Sequence, residues 1–513
     1  MNIVAKAKTS TYILTLQLHT ELYQEDIINK RLEIARNIYN AILNKSLKRY
    51  NLMLESKEYN KNKKQLNNIN KLYYNTSSKK EKSNLNKQRK LLYDERKNIC
   101  LKFSLSQYSL YADVKPMYKH FKDNIGSLEA QAIADRVWEK FDKLLNGNGK
   151  KVYFKRYGEL NSIENKWNKS GLKYDDRTNN IKWNGLELPI IIKSNDVYAQ
   201  RAIQNRVKYC RIVRKLIRGK YRYYIQLILE GIPPIKVNKE TGEIKRSIGL
   251  GNVGLDIGTR TIAISSKYDV KLLELCPEVE NIEKEKNRLQ RKLDRQRRSN
   301  NPDNYNDNGM IKRGIKLNWI KSNKYIRTQY RLKDIQRKQA DIRKQSHEKL
   351  SNYILSLGDR ILVETMNYKG LQKRSKNTTK NKNGKYNKKK RFGKSLGNKA
   401  PAMLIEIINR KLKYNGLEIL KINTTKVKAS QYNHFTGEYN KKELKDRWNN
   451  DINIQRDCYS SFLIMNVNDD LESINRESCF DTFDNFKILY DREIDKLKQL
   501  KLNGCKLISS MGI

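Results

Sequence analysis

The chain has 513 residues, of which 107 are Lys or Arg and 55 are Asp or Glu, so its formal net charge is +52. This length allows about two to four domains and excludes a small scaffold that depends on disulfides. The charge far exceeds what solubility requires and calls for a polyanionic partner. No apolar run approaches the roughly 18 residues that span a bilayer, so nucleic acid is favoured over a membrane.

The amino terminus predicts a strand and not a signal peptide, because residues 12–18 alternate Leu with Thr and Gln at the period of a half-buried strand. The six cysteines are widely scattered. Their spacing therefore indicates neither a disulfide framework nor a CxxC metal site. We expect a reduced, cytoplasmic chain.

A basic helical lobe is predicted over residues 24–148. Near its start, Ile28, Leu32, Ala35, Tyr39 and Ile42 recur at helical spacing. The Lys/Asn/Ser-rich stretch at 76–88 is expected to be a flexible tip of this lobe.

A small, antiparallel β-rich domain is predicted from residues 1–23 and 149–235, so the helical lobe is an insertion into it. The segment KVYFKRY (151–157) and the strands after it alternate at period two, and Gly219 marks a hairpin. Aromatic residues interleave here with basic ones, a pattern typical of surfaces that stack bases and neutralise phosphates. The candidate nucleic-acid contacts are Lys151, Lys155, Arg156, Lys220 and Arg222. A tyrosine-rich strand core is the alternative.

A polar linker is expected at 236–247, followed by a second domain over 248–425 and 456–513. Two basic helices, 279–300 and 326–357, are predicted to pack as a hairpin within 279–357. Strands are predicted at 253–257, 261–265, 359–366 and 417–423, and helices at 401–415 and from about 456. A very basic loop, 373–399, separates two of these elements. Its Lys388, Lys389, Lys390 and Arg391 are candidate nucleic-acid contacts, with a solvated loop as the alternative.

Three carboxylates in this second domain are the candidate catalytic residues. Asp256 lies inside an apolar strand, Glu364 ends another, and Asp457 opens a helix. Each acid alone has an ordinary explanation, such as a turn cap or a lysine partner. Together they offer the hard oxygen ligands that Mg²⁺ or Mn²⁺ prefers. Two ions about 3.5 to 4 Å apart would support phosphodiester hydrolysis, and Arg456 would support the charge that develops on the phosphorus centre.

Three segments that carry these acids resemble the RuvC motifs of the TnpB family of transposon-encoded RNA-guided nucleases, kin of the miniature type V CRISPR effectors. They are VGLDIGTRTIAIS, ILVETMNYKGL and INIQRDCYSSFLIMNV. The resemblance implies an α+β multidomain chain. Its β-rich domain would be a β-barrel-like wedge with an inserted helical lobe, followed by an RNase H-like (RuvC) α/β domain with a bridging helical pair. The resemblance also implies Asp256, Glu364 and Asp457 as catalytic, metal-binding acids. The implied partners are a guide RNA and target double-stranded DNA.

One departure concerns the zinc ribbon that family members carry before the third motif. Here residues 426–455 contain no cysteine, and Asn433 and Thr436 stand where the first pair of ligands is expected. His434 is the one plausible ligand left, and a lone histidine is more often polar surface, so zinc is not expected. We expect Tyr432, Phe435, Tyr439 and Trp448 to form an aromatic cluster in its place.

The predicted function is therefore an RNA-guided, metal-dependent DNA endonuclease encoded by a mobile element. Two alternatives are an RNA-guided DNA-binding repressor without nuclease activity and a CRISPR-associated miniature type V effector. A strand-joining transposase is disfavoured, because the four histidines are far apart in sequence and no paired-histidine site with a catalytic tyrosine is apparent.

Overall fold

The computed structural model describes residues 9–238, 240–381, 383–384, 386–387, 392–441, 443, 446–449 and 451–513. The chain forms two compact units, Met1–Pro234 and Ile235–Ile513. Both combine helices with a β-sheet, so the protein is a mixed α/β chain of more than one unit. No helix in the described ranges is long and apolar enough to cross a membrane.

The sheet of the first unit curls into a half-barrel. Its strands are β1 (Thr11–Leu18), β2 (Ser162–Glu164), β3 (Lys173–Asp175), β4 (Asn180–Trp183), β5 (Leu186–Ile191), β6 (Val207–Ile217) and β7 (Lys220–Glu230). Their order is β2-β6-β7-β1-β5-β4-β3. The strand predicted at 12–18 is confirmed, since every second side chain of β1 is buried. The hairpin at Gly219 is also confirmed, because Arg218 and Gly219 both have positive φ (49° and 80°) in the two-residue turn.

The helices of the first unit follow β1 in sequence. They are α1 (Leu22–Glu55), α2 (Lys57–Asn75), α3 (Lys79–Lys102), α4 (Gln107–His120), α5 (Ser127–Leu145) and the short α6 (Val197–Ala202). The predicted apolar stripe of α1 is buried throughout. The flexible tip expected at 76–88 is wrong. Residues from Lys79 onward are helical because the Ser78 side chain caps the helix by accepting a hydrogen bond from the Glu81 amide.

The strand predicted at 151–157 is also wrong, because these residues pair with no strand. The backbone of Lys155 bonds instead to the side chain of Asn40 in α1. The Lys155 amide donates to Asn40 Oδ1 (2.8 Å), and Asn40 Nδ2 donates to the Lys155 carbonyl (2.8 Å). A helix side chain thus satisfies the polar groups that a neighbouring strand would otherwise satisfy.

The sheet of the second unit has five strands, β8 (Asn252–Ile257), β9 (Thr261–Ser266), β10 (Val270–Glu274), β11 (Arg360–Glu364) and β12 (Leu420–Ile422). Their order is β10-β9-β8-β11-β12. The first three are antiparallel, whereas β8, β11 and β12 are parallel. The predicted strands are therefore confirmed within a few residues.

The helices of the second unit are α7 (Val279–Asn300), α8 (Asn323–Leu357), α9 (Tyr368–Leu371), α10 (Gly393–Lys399), α11 (Pro401–Lys413), α12 (Thr424–Val427), α13 (Arg456–Met465) and α14 (Arg476–Leu502). Short 3₁₀ turns occupy Pro302–Asn304 and Ser509–Met511, and a hairpin joins β13 (Trp448–Asn449) to β14 (Ile454–Gln455). The predicted helical pair packs together, with Gln339 of α8 donating to Glu283 of α7 (3.1 Å). The helix α14 was not predicted.

Helices cover both faces of the five-stranded sheet. On one face, residues of α13 and α14 such as Phe462 and Phe486 pack with Leu362. On the other, residues of α8 and α11 such as Ile354 and Leu404 pack with Leu255. The sheet is therefore the middle layer of a three-layer unit.

Candidate active site

Asp256 and Glu364 lie on the face of the sheet that α13 covers. Alternate residues of a strand point to opposite faces. Gly254 is paired with Leu362 across β8 and β11, and Leu362 packs with the residues of α13. Asp256 and Glu364 are each two residues further along, so both face α13 at the carboxyl ends of neighbouring parallel strands.

Asp457 reaches the same region from the first turn of α13. A glycine in β8 allows this close approach: a Cβ added to Gly254 would lie 2.0 Å from the Ser461 carbonyl oxygen and 2.4 Å from the Met465 amide nitrogen. A Ser265–Ser461 hydrogen bond (2.7 Å) also joins α13 to β9. The helix thus packs directly on the strand that carries Asp256.

The three carboxylates interact electrostatically. Burial raises the pKa of Asp256 well above its ordinary value of 3.8, and the charges of Asp457 and then Glu364 raise it further. Burial also raises the pKa of Glu364. Charges act on one another in this way when they are near each other in surroundings that exclude water. The structure therefore brings together the three acids that the sequence singles out.

Two arginines neutralise Asp457. Arg456 donates from Nε (3.1 Å) and Nη2 (2.9 Å) to Asp457 Oδ1, and Arg447 Nη1 lies 3.7 Å from Oδ2. Arg456 Nη1 also donates to the carbonyl of Asp446 (3.1 Å). Arg456 therefore binds the neighbouring acid, whereas the sequence predicted a role at the phosphorus centre, which stays a prediction.

Gln455 fixes the start of α13 and so the position of Asp457. Its side-chain oxygen accepts a hydrogen bond from the Cys458 amide (2.8 Å). Its Nε2 donates to the Met511 carbonyl (3.1 Å), and its own amide donates to the Tyr490 hydroxyl (2.8 Å). A helix start with all these partners holds the first-turn acid in a defined place.

The donor set matches a hard divalent cation, because all three side chains are carboxylates and two have raised pKa values that a cation would lower again. Among the described residues, no three His, Cys, Asp or Glu side chains are arranged closely enough to hold a metal ion. In their present positions, Asp457 Oδ1 is hydrogen-bonded to Arg456 (2.9 Å) and Oδ2 lies 3.7 Å from Arg447. The carboxylate donors fit a divalent ion, although Asp457 is now paired with the two arginines.

Sequence reasoning missed Tyr368 and Arg447. The Tyr368 hydroxyl lies 3.5 Å from the carbonyl of Ile257, and burial followed by the charges of Asp256 and Glu364 raises the pKa of this phenol. Its position four residues after Glu364 was the available signal. Arg447 lies ten residues before Asp457 and reaches it only because the β13–β14 hairpin reverses the chain.

The segment without zinc-binding cysteines is organised around His434, which is fully buried. Its Nδ1 lies 2.7 Å from the Tyr459 hydroxyl, and its ring is 4.0 to 5.8 Å from five aromatic rings: those of Phe435, Tyr459, Phe462, Phe480 and Phe483. The expectation of a surface histidine is wrong, because aromatic residues of α14, a helix that the sequence did not predict, pack against it.

The four aromatic residues expected to replace the metal do not form one cluster. Tyr432 stacks near Tyr439, with ring centres 4.8 Å apart. Phe435 joins the rings around His434. Trp448 donates instead to the Gly512 carbonyl (2.8 Å). The segment is therefore held at three separate places.

The burial of His434 predicts a specific pH dependence. Burial, with a smaller effect of Arg476, lowers the pKa of His434 from 6.5 to about 4. The unfolded chain therefore binds this proton more readily than the folded chain does. The contribution of His434 to the free energy of unfolding is therefore fully present above pH 6.5. It is lost as the pH falls towards 4, by up to about 1.4 kcal/mol per pH unit.

We expect His434→Phe to remove this slope between pH 6.5 and 4.5, measured as the difference in denaturation midpoint from the wild-type chain. His120→Phe is the control, because His120 is exposed. If the denaturation midpoints of wild type and His434→Phe changed in parallel with pH, protonation of His434 would not be what destabilises the fold.

The candidate nucleic-acid residues of the first unit are mostly exposed. Lys151, Arg156, Lys220 and Arg222 face solvent, and Lys155 is half-buried. Tyr153, Phe154 and Tyr157 beside them are 69%, 49% and 83% exposed, whereas Tyr223 is buried at 2%. The exposed part therefore suits stacking, while Tyr223 belongs to the core.

In the second unit, Lys388, Lys389, Lys390 and Arg391 lie outside the described residues. The end of the predicted loop 373–399 is helical as α10. Its last residue, Lys399, is buried and donates to Glu274 (2.7 Å). A loop reaching to residue 399 is therefore wrong, because Lys399 has an internal carboxylate partner.

No family model matches this chain, and no curated protein matches its sequence. Among solved structures, the chain is similar to the protein in a Cas12f1–sgRNA–target DNA complex, with 12% identity and a TM-score of 0.40 over 89% of this chain and 99% of that chain. A CRISPR–Cas12f ternary complex gives 12% identity and a TM-score of 0.26 over 86% and 82%. Because both TM-scores are below 0.5, neither similarity bears on function.

Proposed function

We propose that the protein is an RNA-guided, divalent-metal-dependent DNA endonuclease of the RuvC type, encoded by a mobile element. One observation carries the proposal: Asp256, Glu364 and Asp457 converge on one face of a mixed five-stranded sheet. The three antiparallel strands followed by two parallel ones support an RNase H-like core for this unit.

The three acids would together hold two divalent ions, either Mg²⁺ or Mn²⁺. When bound, such ions activate water and stabilise the oxygen that leaves the phosphorus centre. Asp256 and Glu364 supply oxygens from rigid strands, and Asp457 supplies them from a capped helix. Neutral side chains at these positions would lack the charge that the ions require.

A nucleic-acid partner is supported by the net charge of +52 and by the exposed basic and aromatic residues of the first unit. The proposed partners are a guide RNA and target double-stranded DNA, in keeping with the resemblance of the three acidic segments to RuvC motifs. The domain boundaries predicted from the sequence remain part of this proposal.

The test uses the full chain purified with its own RNA. Sequencing that RNA gives the guide, and DNA carrying the complementary sequence beside a randomised flank is then offered in Mg²⁺. We expect cleavage of this DNA, none of a scrambled DNA, and loss of cleavage with a chelator. If the complex cut no matched DNA in Mg²⁺ or Mn²⁺, the nuclease proposal would be overturned.

The second candidate is a guide-dependent DNA-binding repressor. It is favoured by the two arginines bound to Asp457 and by the missing zinc-ribbon cysteines. Matched DNA that is bound but not cut would support it. The same RNA sequencing separates a transposon origin from a CRISPR one, because an RNA overlapping the coding end indicates the former and a repeat-spacer RNA the latter.

The exposed basic residues give a further prediction. We expect a fourfold substitution to Gln to reduce the slope of log affinity against log salt for single-stranded RNA. The four residues changed together are Lys151, Arg156, Lys220 and Arg222. Each lost phosphate contact contributes about 0.7 to this slope, so the largest reduction is about 3. The measurement is RNA binding across a salt series.

The control changes four exposed cations of the second unit, Arg492, Lys496, Lys498 and Lys506, to Gln, with the same loss of charge. An equal fall in slope for both variants would mean that the overall charge, and not this surface, determines binding.

A further inference from the structure

The β13–β14 hairpin carries the two arginines that bind Asp457. Trp448 pairs with Gln455, and the Arg456 amide donates to the Arg447 carbonyl (2.8 Å). Arg447 and Arg456 therefore lie side by side at the open end of the hairpin, next to the start of α13. Arg456 hydrogen-bonds to Asp457 Oδ1 (2.9 Å), and the Arg447 guanidinium forms a longer ion pair with Oδ2 (3.7 Å). We call this pair the arginine clamp.

The stem of Arg447 is held by packing. A Cβ added to Gly512 would lie 2.4 Å from Arg447 Cβ, so the backbone at Gly512 lies directly against that side chain. The Trp448 indole, next in sequence, donates to the Gly512 carbonyl (2.8 Å). An arginine fixed at its stem loses less conformational freedom on pairing than a surface arginine does.

The clamp differs from an ordinary surface ion pair in its surroundings. The Asp457 side chain is only 13% exposed and Arg456 is equally covered. Asp457 also raises the pKa of Asp256, so it belongs to the cluster of three acids. Like charges in a covered site repel unless cations neutralise them. The clamp supplies that positive charge from within the protein.

We infer that the arginine clamp is a built-in substitute for the divalent cation at Asp457, and that cation binding requires Arg447 to release Oδ2. Arg447 is thus a positioning residue that sets how readily the acids accept metal. This inference rests on the proposed metal-dependent function. Arg456 keeps an anchor on the Asp446 carbonyl, so Arg447 is the member expected to leave.

The experiment measures Mn²⁺ binding directly, by electron paramagnetic resonance of free Mn²⁺, to the full-length chain freed of nucleic acid. Arg447→Gln is expected to bind Mn²⁺ roughly three- to tenfold more tightly than wild type, because a partly exposed competing cation is removed. Arg447→Lys, which keeps the charge, should show less of this gain. Asp457→Asn identifies the binding that belongs to the acids.

Arg410→Gln is the matched control. Arg410 pairs with Glu348 (2.6 Å) in the same unit, so the variant loses the same charge from beside a carboxylate, which Lys411 (2.9 Å) still contacts. A gain in affinity with Arg447→Gln but not with Arg410→Gln supports the clamp. Thermal melting of each variant in chelator establishes that the folds are comparable.

Two results would overturn the inference in different ways. If Asp457→Asn lowers Mn²⁺ binding but Arg447→Gln leaves it unchanged or weaker, the clamp is wrong and the metal site stands. If Asp457→Asn does not lower Mn²⁺ binding in either the wild-type or the Arg447→Gln background, the proposed metal site itself fails.

Discussion

Asp256→Asn is expected to lower guided DNA cleavage by roughly 10³-fold or more, while the metal-free protein becomes more stable. The loss follows because a neutral amide neither supplies the charge that divalent ions require nor replaces a carboxylate ligand. Cleavage of matched DNA in Mg²⁺ and thermal melting in chelator are the two measurements.

The gain in stability follows from the sign of the pKa shift. Burial, with Asp457 and Glu364, raises the pKa of Asp256 above 3.8. The folded chain therefore binds this proton more tightly than the unfolded chain, and the contribution to stability falls as the pH rises from 3.8 through the folded-state pKa. The cost of the charge therefore grows as the pH rises above 3.8, and Asn, which does not ionise, removes it.

Asp484→Asn is the control for this prediction, because Asp484 is an exposed acid of α14. It should change neither cleavage nor melting appreciably. Near-normal cleavage by Asp256→Asn would contradict the catalytic assignment. If Asp256→Asn melted at a lower temperature than wild type in chelator, the buried charge of Asp256 would not be destabilising as proposed.

Gly254→Ala is expected to destabilise the second unit by about 3 kcal/mol or more, because the new methyl group would overlap the backbone of α13 at Ser461 and Met465. Backbone atoms in a packed helix cannot move aside as a flexible side chain can. For a unit of this size, the loss corresponds to a fall of roughly 6 to 12 °C in melting temperature. Cleavage should fall as well, since α13 carries Asp457.

Gly397→Ala provides the matched control. Gly397 lies in α10, and a Cβ there would meet no atom within 4 Å. Alanine is the better helix former, so this variant should be neutral or more stable by up to about 1 kcal/mol. A melting temperature for Gly254→Ala within about 2 °C of wild type would mean that α13 does not lie so close to β8.

Asp256 and Glu364 could be predicted from the sequence because an acid after three apolar residues is costly at a strand end unless it has a partner. Asp457 could be predicted because it opens a helix with a buried apolar stripe. Glycine, by contrast, carries no such signal. Gly254 looks like any small residue in VGLDIG, and its role depends on a helix about 200 residues away. The fold around the site therefore depends on contacts that local patterns do not record.

Partners supplied by distant elements also explain the wrong predictions. The strand expected at 151–157 had the right alternation, but Asn40 of α1 satisfies its backbone. Histidine is a residue type that is common at protein surfaces, yet Phe480 and Phe483 of α14 cover His434. Arg447 gave no signal because only a hairpin brings it to Asp457. In each case tertiary packing, and not the local sequence pattern, decided the environment of the residue.

The pairing of β1 with β7 has a consequence for synthesis of the chain. Thr11 is paired with Glu230, and Leu14 with Leu227, so about two hundred residues must leave the ribosome before β1 meets its longest partner. At roughly 5 to 20 residues per second, that delay is about 10 to 40 s. For most of it, until β5 is made, the buried face of β1 is without a strand partner, while α1 to α5 gain local contacts first. Nascent chains halted before residue 230 should therefore be the form most prone to aggregate and most dependent on chaperones.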